Sequence, residues 1–182
     1  VLPIVASKFA LSTGKVFSEE TFEQLQLANE IEELKEYSFR ILSRHRYSEK
    51  KIRQKLEHRA SHKNVAAAVL DILVSLHLIN DADLAMDLYQ SLSAQHKYSR
   101  LQIKQKLLQK GLSAAVVANV LADNATDDDA EYRIAIDLAQ KQLQKYASID
   151  DTMKVKQKLY SFLQRRGFSA NHCSAVLREL FN

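Results

Sequence analysis

The chain has 182 residues, enough to bury a hydrophobic core or to carry a short array of repeats. Only three glycines and one proline occur among abundant Leu, Ala, Lys, Gln and Glu, which favours helix because Gly and Pro are the costliest residues in a helix interior. The net charge of +4 hides an asymmetry: three Lys against seven Glu up to Glu36, then 23 Lys and Arg against 15 Asp and Glu from Tyr37 onward.

No apolar run approaches the roughly 18 to 20 residues that span a bilayer, so no membrane segment is expected. The single Cys173 can form no internal disulfide. No basic start leads into an apolar run with a small-residue cleavage site. The cytoplasm is therefore the expected location. Val1 in place of a starting Met points to a trimmed N-terminus.

In chain order, Val1 to Leu11 is rich in Val, Ile, Phe and Ala and is followed by Ser12-Thr13-Gly14-Lys15. This pattern predicts a short strand and a turn, the remnant of a small sheet. Ser18 to Glu36 predicts an acidic helix capped by Ser18 or Thr21. From Arg40 to Lys63 nine basic residues then meet only Glu49 and Glu57, a field that attracts nucleic acid or an acidic protein surface.

Self-comparison shows a repeat. Ile52-Arg53-Gln54-Lys55-Leu56 recurs as Ile103-Lys104-Gln105-Lys106-Leu107, and Arg46-Tyr47-Ser48 recurs as Lys97-Tyr98-Ser99, both at an offset of 51. Laying Gly111 on Gly167, an offset of 56, places Ile103 on Leu159, Leu107 on Leu163 and Val120-Leu121 on Val176-Leu177.

Each copy predicts three helices. The first carries Tyr37, Ile41 and Leu42, then Leu84, Leu88 and Leu92, then Ile134, Leu138 and Leu143, at spacings that form one apolar stripe. Ser48 and Ser99 are placed to cap the second helix, with Gln102 completing a capping box in copy two. The second helix stops at Gly111 or Gly167, where Leu112 or Phe168 can pack back and Ser113 or Ser169 can cap the third helix. Copy one has Ala60-Ser61-His62 there, so its turn is expected to close differently. Copy three has a longer stretch before its second helix, from about Tyr146 to Thr152, and Asp127-Asp128-Asp129 separates it from copy two.

The expected fold is all-α: three tandem three-helix repeats in an elongated, curved array, with an N-terminal strand remnant and an acidic helix. The expected divisions are 1–36 for the N-terminal part, then 37–80, 81–124 and 125–182 for the repeats.

Basic residues at repeat-equivalent positions are the candidate partner-binding face. They are Arg53, Lys55, Arg59, Lys104, Lys106, Lys110, Lys156, Lys158, Arg165 and Arg166 on the second helices. Arg40, Arg44 and Arg46 extend the patch in copy one. Tyr47 and Tyr98 could stack on bases, but just before a helix cap the commoner role is a hydrophobic staple. Tyr160 and Phe162 fit packing, and Cys173 fits a buried small hydrophobe.

His58 and His62 stand four apart, but Arg59 and Lys63 interleave with them and no further ligand cluster accompanies them, so no zinc site is expected. Asp127 and Asp129 open like a calcium loop that lacks its glycine and terminal glutamate. No metal or other cofactor is expected. Glycines at 14, 111 and 167 fit neither a P-loop nor a dinucleotide fingerprint, and no nucleophile signature occurs, so no enzyme is expected.

Tyr37-Ser-Phe-Arg-Ile-Leu-Ser-Arg-His-Arg-Tyr-Ser-Glu-Lys-Lys-Ile-Arg-Gln-Lys-Leu56 resembles the opening repeat of the RecX family of bacterial recombination regulators. Leu78-Ile-Asn-Asp-Ala-Asp-Leu84 resembles that family's link between its first and second repeats, and Lys158-Leu-Tyr-Ser-Phe-Leu-Gln-Arg-Arg-Gly-Phe-Ser169 resembles its C-terminal motif. Phe9-Ala-Leu-Ser-Thr-Gly-Lys15 resembles the N-terminal segment of the longer Gram-positive members. Ala60 departs from the pattern and bears on local turn geometry.

The resemblance implies a regulator that binds the RecA recombinase filament on single-stranded DNA. Such a regulator lies along the filament groove and mostly inhibits ATP hydrolysis, strand exchange and filament growth. A monomer is the expected state. The other reading is a helical repeat protein whose direct ligand is single- or double-stranded DNA, motivated by the +8 balance after Tyr37.

Overall fold

A computed structural model describes residues 1–124 and 127–182, and these residues contain ten helices and no strand. Residues 125 and 126, where the third repeat is expected to open, lie outside the described residues. In chain order the helices are α1 (Pro3–Lys8), α2 (Glu19–Leu42), α3 (Glu49–Glu57), α4 (Lys63–Ser75) and α5 (Asp81–Ser93). They continue as α6 (Arg100–Gln109), α7 (Ala114–Asp123), α8 (Asp128–Gln144), α9 (Thr152–Arg165) and α10 (Ala170–Phe181). The chain divides into two compact units, Val1–Leu84 and Ala85–Asn182.

The N-terminal strand is a correction: Pro3–Lys8 is helical. Pro3 stands in the first turn, where its missing N–H costs nothing and its fixed φ suits a helix. A lone strand would leave its backbone groups without partners, whereas a helical turn satisfies its own. Val5 is buried, and the Leu2 amide donates to Asn29 Oδ1 of α2 at 2.7 Å.

The acidic segment does not end at Glu36 either. It continues without a break into the first helix of copy one, forming a 24-residue α2 about 36 Å long. Ser18 is the cap, accepting from the Thr21 amide at 3.3 Å. Glu19 and Glu20 lie in the first turn and Arg40 in the last, each on the favourable end of the helix dipole.

The triplets α2–α4, α5–α7 and α8–α10 carry the repeat. Ile52, Ile103 and Leu159 are buried at equivalent places, as are Leu56, Leu107 and Leu163 one turn later. In the first unit α3 and α4 close on α2 around Leu34, Ile52, Leu56, Val69, Leu70 and Leu73. In the third triplet Ala135 and Ala139 of α8 let α9 and α10 approach closely around Leu159, Leu163, Cys173 and Val176.

Gly111 and Gly167 adopt left-handed φ of +91° and +79°, and Leu112 and Phe168 pack back as buried residues. In copy one neither Ala60 nor Ser61 takes a left-handed φ. Glu30 of α2 secures that turn instead: its carboxylate accepts from the Ser61 amide at 2.5 Å and from the Ser61 hydroxyl at 2.7 Å.

Helix capping crosses from one repeat to the next. Ser48 occupies the N-cap position of α3 but its side chain makes no cap bond. The Glu49 amide, first in α3, donates to Asp81 Oδ1 at the start of α5 at 2.9 Å. The Arg100 amide, first in α6, donates to Glu131 Oε1 in the first turn of α8 at 3.1 Å. The same device thus serves two repeats.

Ser99 does cap α6, accepting from the Gln102 amide at 3.1 Å. The capping box is not completed, because Gln102 sends its side-chain amide to the Arg165 carbonyl at 3.3 Å.

Burial raises the Asp81 carboxyl above the usual Asp range, while the Glu49 amide bond opposes the shift. The folded chain therefore holds this proton more tightly than the unfolded chain. The contribution of Asp81 becomes more favourable as pH falls through its raised value toward the ordinary one. Asp81→Asn keeps an acceptor for the amide without a half-buried charge. It is expected to match or slightly exceed the parent in urea midpoint at neutral pH, whereas Asp81→Ala loses about 1 kcal/mol.

Candidate partner-binding face

The second helices α3, α6 and α9 each turn an Ile, Leu or Val seam inward, so their basic residues emerge along the flanks. Residues two apart on a helix diverge by about 200°. Within each second helix the candidates accordingly lie on two flanks rather than one face.

The first flank carries Arg53 on α3, Lys104 on α6 and Lys156 on α9. Arg53 pairs with Glu49 at 2.8 Å, four residues before it on α3. Lys104 borders a groove with Arg100, Asp128, Glu131 and His172. Lys156 lies 5.2 Å from the Phe181 ring. Arg53 thus has an internal carboxylate beside it and Lys156 a ring, while Lys104 shares its groove lining with two acidic residues.

The second flank carries Lys55 on α3, Lys106 on α6 and Lys158 on α9. Lys55 sits over the Tyr47 ring at 5.1 Å, Lys106 over Tyr98 at 4.5 Å and Lys158 over Tyr146 at 5.8 Å. All three tyrosines are half-buried. Tyr47 also packs against the core of the first unit, as a staple should. A cation over an aromatic face gains about 0.5–1 kcal/mol at an exposed site, enough to bias a flexible lysine toward one position. No carboxylate lies within ion-pair distance of these three ammonium groups among the described residues.

Arg59 stacks at 4.0 Å over Tyr37, which also has Arg40 at 5.9 Å. Arg44 and Arg46 are exposed in the turn after α2, and Arg46 borders a groove with Tyr47, His77 and Asp83. Lys110 is exposed at the C-cap of α6. Arg165 joins Lys158, Gln157 and Ser161 around Tyr146. Arg166 is partly structural: it lies 4.7 Å from the Phe162 ring and donates to the Lys97 carbonyl at 3.2 Å.

Several contacts escaped sequence reading. Tyr37 and Tyr146 were not recognised as ring partners, and Asp81 and Glu131 were not recognised as caps. Tyr37 lies on α2 and carries no sequence signal, whereas Tyr146 is an aromatic in the stretch before a second helix and Asp81 and Glu131 are acids at the start of the following repeat. His58 ends α3 and His62 precedes α4, so the two histidines share no helical face. Among the described residues no group of three potential ligands could hold a metal ion. Among them, too, no helix is long and apolar enough to cross a membrane. Cys173 is fully buried, and burial pushes its thiol up.

Residues 129–177 match the family model for the third three-helix domain of RecX. The Regulatory protein RecX of Mycobacterium avium is 32% identical over 150 residues, spanning 82% of this chain and 86% of that protein. The chain belongs to the RecX family. The RecX of Clostridioides difficile is 29% identical over 174 residues, covering 96% of this chain and 80% of that one. A crystal structure of regulatory protein RecX superposes with a TM-score of 0.77 at 21% identity, covering 97% of this chain and 85% of that chain. RecX from Lactobacillus salivarius gives 0.70 at 23% identity, covering 84% and 97%. The helical repeat fold is thus shared with solved RecX structures, and membership places the chain among regulatory proteins.

Proposed function

We propose that this RecX-family chain binds the RecA filament on single-stranded DNA and lowers its ATPase, strand exchange and growth. The observation that carries this reading is the lysine held over a tyrosine on each second helix, set beside family membership. Such a protein acts by occupancy, not catalysis, and works as a cytoplasmic monomer. Repeats at 37–80, 81–124 and 125–182 supply its contacts through the basic residues named above.

Single-stranded-DNA-dependent ATP hydrolysis by RecA, titrated with the purified protein, tests the reading. Hydrolysis is expected to fall by severalfold as the protein approaches the RecA concentration. Unchanged hydrolysis and strand exchange at equal amounts would refute it.

The +8 balance from Tyr37 onward supports a second reading, direct binding to DNA. On that reading an oligonucleotide binds tightly without RecA, with an affinity that falls steeply as salt rises.

A further inference from the structure

We propose that Tyr47/Lys55 and Tyr98/Lys106 form two copies of one docking element, with Tyr146/Lys158 an analogous pair in the third repeat, each presenting a ring-held ammonium to a carboxylate on a protein partner. This inference rests on the reading above and specifies which of the basic residues do the gripping.

The first two pairs recur by position as well as by kind, and the third recurs by kind. Tyr47 and Tyr98, like Lys55 and Lys106, are separated by 51 residues, whereas the register that lays Leu107 on Leu163 puts Phe162 opposite Lys106 and Lys158 one turn before it. Each tyrosine stands just before the second helix or in the stretch leading to it, and each lysine stands on that helix. The ring positions the stem and withholds one side of the ammonium. The other side keeps its donors and lacks an internal acid among the described residues. An ammonium already held in place loses less freedom on meeting an anion than a free lysine does.

A carboxylate is favoured over a nucleic acid on three grounds. Half-buried rings already covered by an ammonium offer no open face for stacked bases, which is how aromatics serve single-strand binding. Arginine is the side chain best fitted to phosphate, yet Arg53, Arg59 and Arg166 are engaged by Glu49, Tyr37 and the Phe162 ring with the Lys97 carbonyl. A nucleic-acid backbone also offers a charge about every 3.4 Å along each duplex strand, which suits a close row of cations. Here the positioned ammonium comes once per repeat, which suits separate acidic side chains on a protein surface.

The test uses the full chain in the RecA ATPase titration beside a triple variant, Lys55→Met, Lys106→Met and Lys158→Met. The control is Lys50→Met with Lys51→Met, exposed residues of the same charge on α3. Bare single-stranded oligonucleotide binding is followed in parallel by fluorescence anisotropy.

The triple variant is expected to need at least about tenfold more protein for half-inhibition, and the control no more than about twofold. Tyr98→Leu, which keeps every charge but frees Lys106, is expected to cost a smaller, measurable fraction of that shift. A circular-dichroism melt like the parent's confirms that each variant is folded. If the parent itself leaves hydrolysis unchanged, the underlying reading falls. If the parent inhibits and the triple variant inhibits equally well, the docking element alone is overturned. A parallel loss of oligonucleotide binding by the same factor overturns the carboxylate assignment in favour of phosphate.

Discussion

Gly167→Ala is expected to lower the stability of the Ala85–Asn182 unit by about 2–3 kcal/mol, a large part of a typical domain's margin. A left-handed φ of +79° costs an L-residue roughly 1–2 kcal/mol. The new Cβ would also stand 2.6 Å from Ser99 Oγ and 3.2 Å from Leu101 Cβ. Ser99 Oγ donates to the Arg166 carbonyl at 2.6 Å, so moving it disturbs a hydrogen bond worth about 0.5–1.5 kcal/mol. Gly14→Ala is the comparison: its φ is +87° but a Cβ there meets nothing within 4 Å, leaving backbone strain alone. Urea midpoints should therefore fall further for Gly167→Ala than for Gly14→Ala. Equal losses would show that the close approach to Ser99 costs nothing.

The second large effect is in the core. Leu56 and Leu163 hold equivalent positions in different compact units and both have 0% exposure. Truncation to alanine is expected to cost about 2–5 kcal/mol at each, from lost transfer energy and the cavity left behind. Hydrogen exchange should localise the damage: Leu56→Ala should speed amide exchange most in α2–α4, and Leu163→Ala most in α8–α10. A loss under about 1 kcal/mol at either site would mean that its neighbours collapse into the space.

The repeat was legible because burial acts on the same few positions in every copy. Ile52, Ile103 and Leu159, with Leu56, Leu107 and Leu163, are the seam that each second helix must hide, and selection for an apolar side chain there leaves a periodic trace. The turn glycines were legible for a related reason, since a left-handed backbone narrows the choice of residue.

Misreadings arose where local composition and backbone pulled apart. Val, Ile and Phe near the N-terminus suggested a strand, while Pro3 in the first turn and Asn29 across from it favour a helix. The change from acidic to basic at Glu36 and Tyr37 is a change of surface charge, and the backbone of α2 runs through it unaffected.

The candidate site was legible as a set of residues but not as an arrangement. Lys55 meets Tyr47 eight residues earlier because the tyrosine lies outside the helix, so no helical spacing announces the pair. Capping by Asp81 and Glu131 was hidden by distance along the chain, 32 residues in one case and 31 in the other. The Glu30 clamp on Ser61 is likewise a long-range substitute for a glycine.

Caps supplied from downstream give the protein a direction in time. As the chain leaves the ribosome, α3 is complete long before Asp81 appears, and its first amide must wait on water until α5 begins to emerge. The start of α6 waits likewise for Glu131, and Ser99 waits longer still for the Arg166 carbonyl. The first two repeats therefore mature only after part of the successor has been made, whereas α9 of the third carries its own cap in Asp151.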